Sequence, residues 1–401
     1  MVSARRFHRW RSVVYGSIFS LFVFGASLAA QRAGQDRQPP VPLPGLTAEE
    51  RARFEEGRRL FEFEFTPRDG LGPVFNARSC AACHHIPMVG GHGPGYRSNI
   101  RYLDGQGTQG QLFHDKAIGG MPVPALPDGA VISKRKPPSL LGLGLVEAVP
   151  DEAILAHADS EDRDGDGISG RPAIGKDGRL MRFGSQAHVG SLVEFVADAL
   201  RQELGLTSPV PGFEEEPVPL PFPVPPRLRR VPSPNVTLET VQKLVDFVAL
   251  LAPPPRGTSE FGQAQSPRGE NLFRELACAA CHVPSFRTGA QPVSRPGLLQ
   301  PSSARALLKR DISPYSDFLL HDMGPALDDK VSLGVARTTE YRTPPLWGLR
   351  FRQHLLLHDG RANNIEQAIV FHDGEGAASR KRYLQLPPEE RRALIEFLKT
   401  L

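Results

Sequence analysis

Two identical pentads decide the fold of this chain: Cys80-Ala81-Ala82-Cys83-His84 and Cys278-Ala279-Ala280-Cys281-His282. They contain all four cysteines among the 401 residues. C-x-x-C-H is the attachment sequence of c-type haem, in which two thiols bond to the porphyrin and the adjacent imidazole binds the iron. The pattern therefore predicts one covalent haem at each pentad, with His84 and His282 as iron ligands.

Three other chemistries use paired cysteines. A redox-active dithiol needs only C-x-x-C in a βαβ setting, and no such pattern surrounds either pentad. A structural zinc site or two disulfides would use the same cysteines, but neither needs a histidine directly after each pair. These alternatives leave both histidines unexplained, so the pattern favours haem.

The chain repeats itself around the pentads. In each half a helix carrying Leu-Phe leads into the pentad, and a proline-rich apolar run and a short helix follow it. The matching segments are residues 57–61 with 269–273, 137–143 with 344–349, and 152–157 with 367–372. Thr47 and Glu50 predict a capping box at the start of the first helix. This repeat predicts duplication of one haem-binding unit.

The periodicity predicts a mostly α fold with two tandem cytochrome c-like domains, each formed around one covalent haem c. We expect the domains at residues 47–206 and 237–401, joined by a proline-rich linker or arm at 207–236. The 39 glycines and 39 prolines indicate long loops, which haem contacts would hold in place. No convincing strand is visible in the pattern.

The first thirty residues have the pattern of a secretory signal peptide, followed by a flexible segment at 31–46. Arg5, Arg6, Arg9 and Arg11 precede an apolar run at 13–28 that ends in small residues. This predicts export to the periplasm, and an uncleaved membrane anchor is the alternative. Removing these four arginines lowers the formal net charge from +4 to zero, which gives no reason to expect nucleic acid as a partner.

Several segments resemble the bacterial di-haem oxidoreductase and peroxidase family. They are residues 69–80, 343–349 and 358–362, together with Leu320-His321-Asp322-Met323-Gly324. More distantly, the chain resembles bacterial di-haem cytochrome c peroxidases and the related enzyme that matures methylamine dehydrogenase. The resemblance runs from about residue 47 to the C-terminus, except for the proline-rich arm. It implies that one haem reacts with hydrogen peroxide while the other passes electrons from a small redox protein, a cytochrome c or a cupredoxin.

The resemblance also implies a sixth ligand for the second iron. His372 follows a helix at 365–371, where the related peroxidases carry a distal methionine and the maturation enzyme a tyrosine. Two histidine ligands would suit electron transfer, and Met323 is the alternative because Met/His ligation is common in cytochromes c. His358 is expected to donate a hydrogen bond near this haem. A solvated surface histidine is the remaining interpretation of His372.

The first haem has no obvious sixth ligand. Glu147 follows the apolar run, and a carboxyl group there would move a proton between the two oxygens of peroxide. Alternatively, Glu147 is a helix-start glutamate stabilised by the helix dipole. His157, the repeat-mate of His372, is an alternative ligand of the first iron, and His85 and His92 are weaker candidates.

Asp162, Asp164 and Asp166 form D-x-D-x-D-G with Gly167, which is the opening of a calcium loop. The twelfth position holds Ala173 instead of the usual glutamate. The pattern therefore predicts a partial or differently completed calcium site, with a plain acidic turn as the alternative.

Three functions fit these features. The first is an exported di-haem oxidoreductase that reduces hydrogen peroxide at the first haem, and the second is an electron carrier with two six-coordinate irons. The third is a maturation-type oxidase that acts on a protein partner. Trp347, the only tryptophan after Trp10, would bridge the haems in the third case, and packing against the second haem is the alternative for it.

Overall fold

Two pairs of packed helices frame the fold, one pair beside each pentad. In the computed structural model, α1 (Ala48–Glu62) packs against α5 (Leu238–Leu250), and α6 (Pro267–Glu275) packs against α10 (Pro388–Lys399). The prediction assigned residues 238–250 to the second domain, but this helix lies against the helix that leads into the first pentad. Each pentad is therefore approached by a helix that has a partner from later in the chain.

Local sequence signals start these helices. Thr47 Oγ1 accepts a hydrogen bond from the Glu50 amide at 3.1 Å, and the Glu50 carboxylate accepts one from the Thr47 amide at 2.8 Å. The predicted capping box is thus confirmed. Thr237 caps α5 in the same way, through the amide of Thr240 at 3.2 Å, and α6 and α10 both begin with proline, which suits the first helical turn.

A glycine sets the close approach within each helix pair. A Cβ atom on Gly57 would overlap the backbone carbonyl of Lys243, and one on Gly269 would overlap that of Ala393. Four residues later in each helix, Phe61 packs on Phe247 with ring centroids 4.9 Å apart, and Phe273 packs on Phe397 at 5.6 Å. The two halves of the internal repeat thus use the same two positions for the same contacts.

Apart from the helix at residues 192–204, the other helices of the described residues have nine residues or fewer. They are α2 (Leu143–Glu147), α3 (Asp151–Leu155), α4 (Leu192–Leu204), α7 (Cys278–Cys281), α8 (Ile365–Phe371) and α9 (Ala377–Gln385). Single 3-10 turns lie between them. They are Pro67–Asp69, Cys80–Ala82, Ile118–Gly120, Arg305–Leu307, Pro325–Leu327, Leu349–Phe351 and Gly374–Gly376. The first pentad begins in one of these turns and the second in α7.

Short antiparallel sheets connect the helices. The strands are β1 (Val74–Phe75), β2 (Asn99–Leu103), β3 (Gln111–Leu112), β4 (Lys116–Ala117), β5 (Val131–Arg135), β6 (Ala173–Ile174), β7 (Leu180–Met181), β8 (Phe286–Arg287), β9 (Asp311–Ile312), β10 (Leu320–Asp322) and β11 (Glu340–Arg342). β2 lies between β3 and β5, and pairs with β5 from Asn99↔Arg135 to Leu103↔Val131. The remaining strands pair as β1–β4, β6–β7, β8–β9 and β10–β11.

The prediction of a mostly α, cytochrome c-like fold is wrong. The described residues mix helices with these strands in one α and β arrangement. Most strands are two or three residues long, and alternation of apolar and polar residues becomes visible only over about four to eight residues. Their pairing also joins segments that are far apart in the sequence, such as β2 and β5, so no local pattern of residues predicts them.

The apolar core forms two main clusters. The larger one joins α1, α2, α4 and α5, and includes Phe54, Val146, Leu200 and Phe247. The second joins α6, α8 and α10, and includes Phe273. Each cluster thus lies beside one pentad, in agreement with the duplication predicted by the repeat.

The structure describes residues 39–93, 99–103, 110–215, 224–225, 231–257, 267–292 and 305–401. All of these except Pro39 belong to the unit formed by residues 40–401. The predicted signal peptide lies outside them, as does much of the flexible segment and of the proline-rich arm. Among the helices of the described ranges, none has the length and apolar character needed to cross a membrane.

Enlarging either crossing glycine should separate a helix pair. Gly57→Ala and Gly269→Ala should each destabilise the protein by about 1–3 kcal/mol, because the new methyl group meets a backbone carbonyl that cannot rotate away. Arg59→Ala, at an exposed position of the same helix as Gly57, is the matched control and should change stability by less than about 0.5 kcal/mol. Urea unfolding followed by circular dichroism measures both. Equal or greater stability of Gly57→Ala would contradict the close packing.

Candidate functional site

The two pentad histidines are held in the same way. His84 Nδ1–H donates to the carbonyl of Gly91 at 3.1 Å, and His282 Nδ1–H donates to that of Tyr315 at 2.9 Å. A carbonyl only accepts, so each Nδ1 carries the proton and Nε2 is the nitrogen that can bind a metal. The phenylalanine of the repeat lies beside each ring, with centroids 6.3 Å apart for Phe61 and His84 and 6.4 Å for Phe273 and His282.

Both histidines are neutral at physiological pH. Desolvation by burial lowers the pKa of His84 and of His282 to about 4. A neutral imidazole with its proton on Nδ1 is the form that coordinates iron, and the carbonyl partner fixes its orientation. The structure therefore prepares two equivalent metal-binding nitrogens.

All four thiols line the same cavity as the two histidines. They are half-buried and form no disulfide, and desolvation raises the pKa of Cys80 and of Cys278 to about 12. One continuous space of about 2910 Å³, counting its openings to solvent, reaches from the first pentad to the second. Its walls are mostly apolar, with Leu140, Leu244 and Val248 near one pentad and Leu346, Leu349 and Leu398 near the other. Two thiols, one imidazole and an apolar wall at each end fit a covalently attached haem.

His372 faces His282 across this cavity. The ring centroids are 6.5 Å apart, and His372 Nδ1–H donates to the Ala368 carbonyl at 2.7 Å, so its Nε2 is again the nitrogen that can bind a metal. Imidazole nitrogens bind metals at about 2.0–2.1 Å, which would place two rings on opposite sides of one ion with centroids roughly 6.3 Å apart. The structure thus brings together the two residues predicted to hold the second iron.

The other residues predicted for the second haem also line the cavity. Met323 lies on its wall, and so does His358. His358 stacks on Tyr341 with ring centroids 4.0 Å apart and planes at 15°. Its Nε2 is buried and makes no hydrogen bond among the described residues, with Asp329 Oδ2 3.7 Å away, so this nitrogen is the one that can serve the predicted hydrogen bond.

A charged triad beside the second pentad was not predicted. His321 donates from Nε2 to Asp317 at 2.8 Å and from Nδ1 to Glu375 at 2.6 Å, and Cys281 Sγ lies 3.4 Å from Nδ1. Burial alone would lower the pKa of His321, but the hydrogen bonds to Asp317, Cys281 and Glu375 outweigh it and raise the pKa well above its usual range. His321 is therefore an imidazolium at neutral pH, unlike His84 and His282, which are neutral.

Glu147 does not lie where its predicted role requires. Its Oε1 accepts a hydrogen bond from the amide of Leu192, the first residue of α4, at 2.8 Å. The side chain is buried and is absent from the residues that line the cavity. Glu147 therefore stabilises the N-terminus of α4, close to the alternative interpretation of a glutamate held by a helix dipole.

The alternative ligands of the first iron also point elsewhere. His157 is exposed, and its ring packs edge-on against Phe286 with centroids 5.3 Å apart. His85 contacts the Ala81 carbonyl, and His92 uses both ring nitrogens on the carbonyls of Gly93 and Phe351. None of the three lines the cavity as the described residues define it.

Glu203 of α4 occupies the position that Glu147 was expected to fill. It lines the cavity with Asp198 of the same helix, on the side of the first pentad. The amides of Asn76 and Asn99 each donate to one of its carboxylate oxygens at 3.0 Å. Desolvation outweighs these hydrogen bonds and raises the pKa of Glu203 to about 7. The same helix also carries Glu194, Asp198 and Arg201, so the sequence alone did not single out Glu203.

His188 is a second feature of this region that the sequence did not reveal. It lines the cavity, and its Nδ1 is buried without a hydrogen-bond partner among the described residues. Desolvation and the nearby Arg101, Arg135 and Arg342 lower the pKa of His188 to about 3. His188 is thus a neutral imidazole in cationic surroundings.

The acidic loop and the tryptophan complete the predicted set. One carboxylate oxygen each from Asp162, Asp164 and Asp166 lies within 4.8 Å of the others, and all three residues are exposed. This spacing is compatible with calcium, which stays a prediction.

Trp347 is buried against Gly142, and it borders a separate small pocket instead of lining the large cavity, which favours a packing role.

The fold and cavity define a class of protein: a two-site redox protein whose paired cysteine–histidine motifs open into one apolar space. A family model described as "Di-haem oxidoreductase, putative peroxidase" matches residues 111–401, and the chain belongs to this family. The match includes the second pentad, whereas the first precedes it. Family membership supports haem as the cofactor and oxidation–reduction as the chemistry.

Other comparisons add little. Among solved structures, hydrazine synthase of Kuenenia stuttgartiensis, pressurised with 20 bar xenon, matches at 15% identity and a TM-score of 0.42. The match covers 91% of this chain and 94% of that one. Likeness at this level does not establish a shared fold. No protein of curated function matches the chain.

Replacing His372 should open the second iron. In the haem-loaded protein, His372→Gly should convert a low-spin signal to a high-spin or water-bound one, because glycine offers no side-chain ligand. Electron paramagnetic resonance of the oxidised protein measures this change. Met323→Ala is the matched control and should leave the signal low-spin. The reverse pattern, with an unchanged spectrum in His372→Gly and a changed one in Met323→Ala, would assign Met323 as the ligand.

Proposed function

We propose that this protein is an exported c-type di-haem oxidoreductase that reduces hydrogen peroxide at the haem held by His84. Electrons would reach that site through the haem held by His282 from a small redox protein, a cytochrome c or a cupredoxin. The observation that carries the proposal is the asymmetry of the cavity. His372 stands opposite His282, whereas a protonatable carboxyl group, Glu203, lines the side of the first pentad.

The haems and the side chains of the protein would contribute different parts of the chemistry. Cys80, Cys83, Cys278 and Cys281 would attach the two haems through thioether bonds, and His84, His282 and His372 would bind iron. The haem groups supply the electron storage and transfer when bound. Two electrons and two protons convert one hydrogen peroxide into two waters, so the chain's own residues must deliver protons to a site that its apolar walls shield from solvent.

Glu203 is suited to move those protons. With a pKa raised to about 7 by desolvation, it exchanges a proton readily near neutral pH, which is the condition for efficient acid–base catalysis. The amides of Asn76 and Asn99 hold both carboxylate oxygens, which fixes the direction in which the group faces. Ionised Glu203 would take one proton from bound peroxide and return it to the departing oxygen.

Localisation and calcium belong to the same proposal. The basic and apolar pattern of residues 1–30 supports export, and haem attachment to C-x-x-C-H takes place after the chain has crossed the membrane. Calcium would bind Asp162, Asp164 and Asp166. The loop continues into Ser169, whose amide and hydroxyl both donate to Glu375, at 3.0 and 2.7 Å, so a bound ion would order a partner of His321.

A second candidate function is electron transfer without catalysis, and His188 is the observation that favours it. A neutral imidazole with an unpartnered Nδ1 on the cavity wall would make the first iron six-coordinate if it bound there. The protein would then carry electrons through two low-spin sites. The reaction with peroxide separates the two candidates.

Removing the acid–base group should slow the reaction with peroxide. Glu203→Gln should lower the rate by about a hundredfold or more, since positioned acid–base groups typically contribute this much. In the native protein the rate should rise with pH through about 7, because Glu203 accepts a proton only when ionised and its pKa is raised to about 7. This rising part of the pH–rate profile, called the pH limb below, should be absent in Glu203→Gln. Stopped-flow absorbance of haem-loaded protein, with two haems verified by mass spectrometry, measures both.

Glu147→Gln is the comparison variant. The glutamine oxygen can still accept the hydrogen bond from Leu192, so the pH limb near 7 should persist. A limb that disappears in Glu147→Gln and persists in Glu203→Gln would contradict the assignment. No reaction with peroxide in the native protein, even after partial reduction, would reject peroxide reduction and favour the electron carrier.

A further inference from the structure

Three cationic side chains on the cavity wall form no close ion pair with a carboxylate of the described residues. Lys136, Arg342 and Arg352 all line the cavity, and no carboxylate of the described residues forms an ion pair with any of them. Arg342 is buried, and the other two are half-buried, with their accessible surface on the cavity side. By contrast, the neighbouring Arg135 is paired with Asp329 at 3.0 Å.

Their hydrogen bonds go to neutral carbonyls. Arg342 donates to the carbonyls of Gly184 and Thr343 at 3.0 and 3.1 Å, and Arg352 donates to that of Pro345. Arg352 Nε is buried without a partner among the described residues. These contacts satisfy some N–H groups without placing a carboxylate against any of the three charges, and Asp359 and Asp317 act on Lys136 and Arg342 only from a longer distance.

The charges also repel one another. Desolvation, increased by the charge of Arg352, lowers the pKa of Lys136 to about 7 and that of Arg342 to about 10. Charges removed from water are normally paired, because an unpaired one costs several kcal/mol. Three such charges on the wall of one cavity would therefore favour an anionic ligand.

The segments that carry two of these cations, Lys136 and Arg352, also contact the loop of the first pentad. Lys136 precedes Pro137 and Pro138, and Pro137 O accepts from the Gly93 amide at 3.2 Å. Phe351, the neighbour of Arg352, accepts a hydrogen bond from His92 Nε2 at 3.3 Å. Residues 84–92 form the loop whose Gly91 carbonyl orients His84. Lys136 and Arg352 are thus tied to the wall around the first site, although Arg352 comes from the second half of the chain. Arg342 lies on β11, which pairs with the strand that carries His321.

We propose that Lys136, Arg342 and Arg352 bind the propionate carboxylates of the haem attached at Cys80 and Cys83. The propionates are the only anionic groups of a molecule that otherwise matches an apolar cavity, and carboxylates pair with guanidinium and ammonium groups. This inference rests on the haem of the proposed function and not on peroxide reduction. Because the cluster combines Lys136 with Arg342 and Arg352, it would link the two halves of the chain through the first haem.

The cluster should then set the reduction potential of the first haem. A positive charge near the porphyrin favours the reduced form, which carries one positive charge fewer. In Lys136→Met the midpoint potential of the first haem should fall, and it should become dependent on pH between about 5 and 8, because a less well paired propionate takes up a proton on reduction. Arg352→Met should shift the potential in the same direction, and Lys136→Arg should restore it.

The measurement is a redox titration of the haem-loaded protein without peroxide, followed by electron paramagnetic resonance so that the two haems are observed separately. Lys134→Met, at an exposed position of β5 two residues before Lys136, is the matched control and should leave both potentials unchanged. Mass spectrometry establishes that each variant holds two haems. If the Lys136→Met variant does not bind both haems, the Arg352→Met variant provides the same test.

Two outcomes would overturn the proposal. One is an unchanged potential of the first haem in both Lys136→Met and Arg352→Met. The other is a native potential that shifts on addition of inorganic phosphate, with the shift lost in Lys136→Met, because the cluster would then bind a free anion. Since no peroxide is used, an absence of peroxidase activity leaves this test intact, and a chain without haem mass would reject the haem assignment itself.

Discussion

A single hydrogen bond at each C-x-x-C-H histidine is the constraint on which the rest of the structure depends. Nδ1–H of His84 and of His282 donates to a backbone carbonyl, so each ring presents Nε2 as a neutral ligand. The helix pairs serve this geometry. Gly57 and Gly269 allow the helices to approach, and the phenylalanine one turn later packs beside the ring. The same solution occurs twice because the same short sequence occurs twice.

The two sites differ on the side opposite these histidines, and function follows from that difference. Around the second pentad, His372 completes a pair of imidazoles and His321 lies charged between Asp317 and Glu375. Around the first, the wall carries Glu203 with its carboxyl group held by two amides. In the proposed function, one end of the cavity would hold an iron with two fixed ligands, and the other would exchange protons.

The sequence predicted what depends on local chemistry. Cys-x-x-Cys-His specifies its own ligand geometry, Thr47 and Glu50 specify a helix start, and His372 follows a helix that the repeat made visible. It failed where distant segments decide the outcome. The strands are too short to show a period and pair across long loops, and α5 packs on α1 from the other half. Glu147 was chosen for its position beside an apolar run, but that turn points its carboxylate at the start of α4. Glu203 reaches the cavity only through the packing of α4, which no local pattern reveals.

The most direct test of the account is the electron paramagnetic resonance spectrum of the oxidised, haem-loaded protein before and after addition of peroxide. The account predicts one high-spin and one low-spin iron per chain, with peroxide perturbing the high-spin signal first. Two low-spin irons that do not respond to peroxide, even after partial reduction, would contradict it.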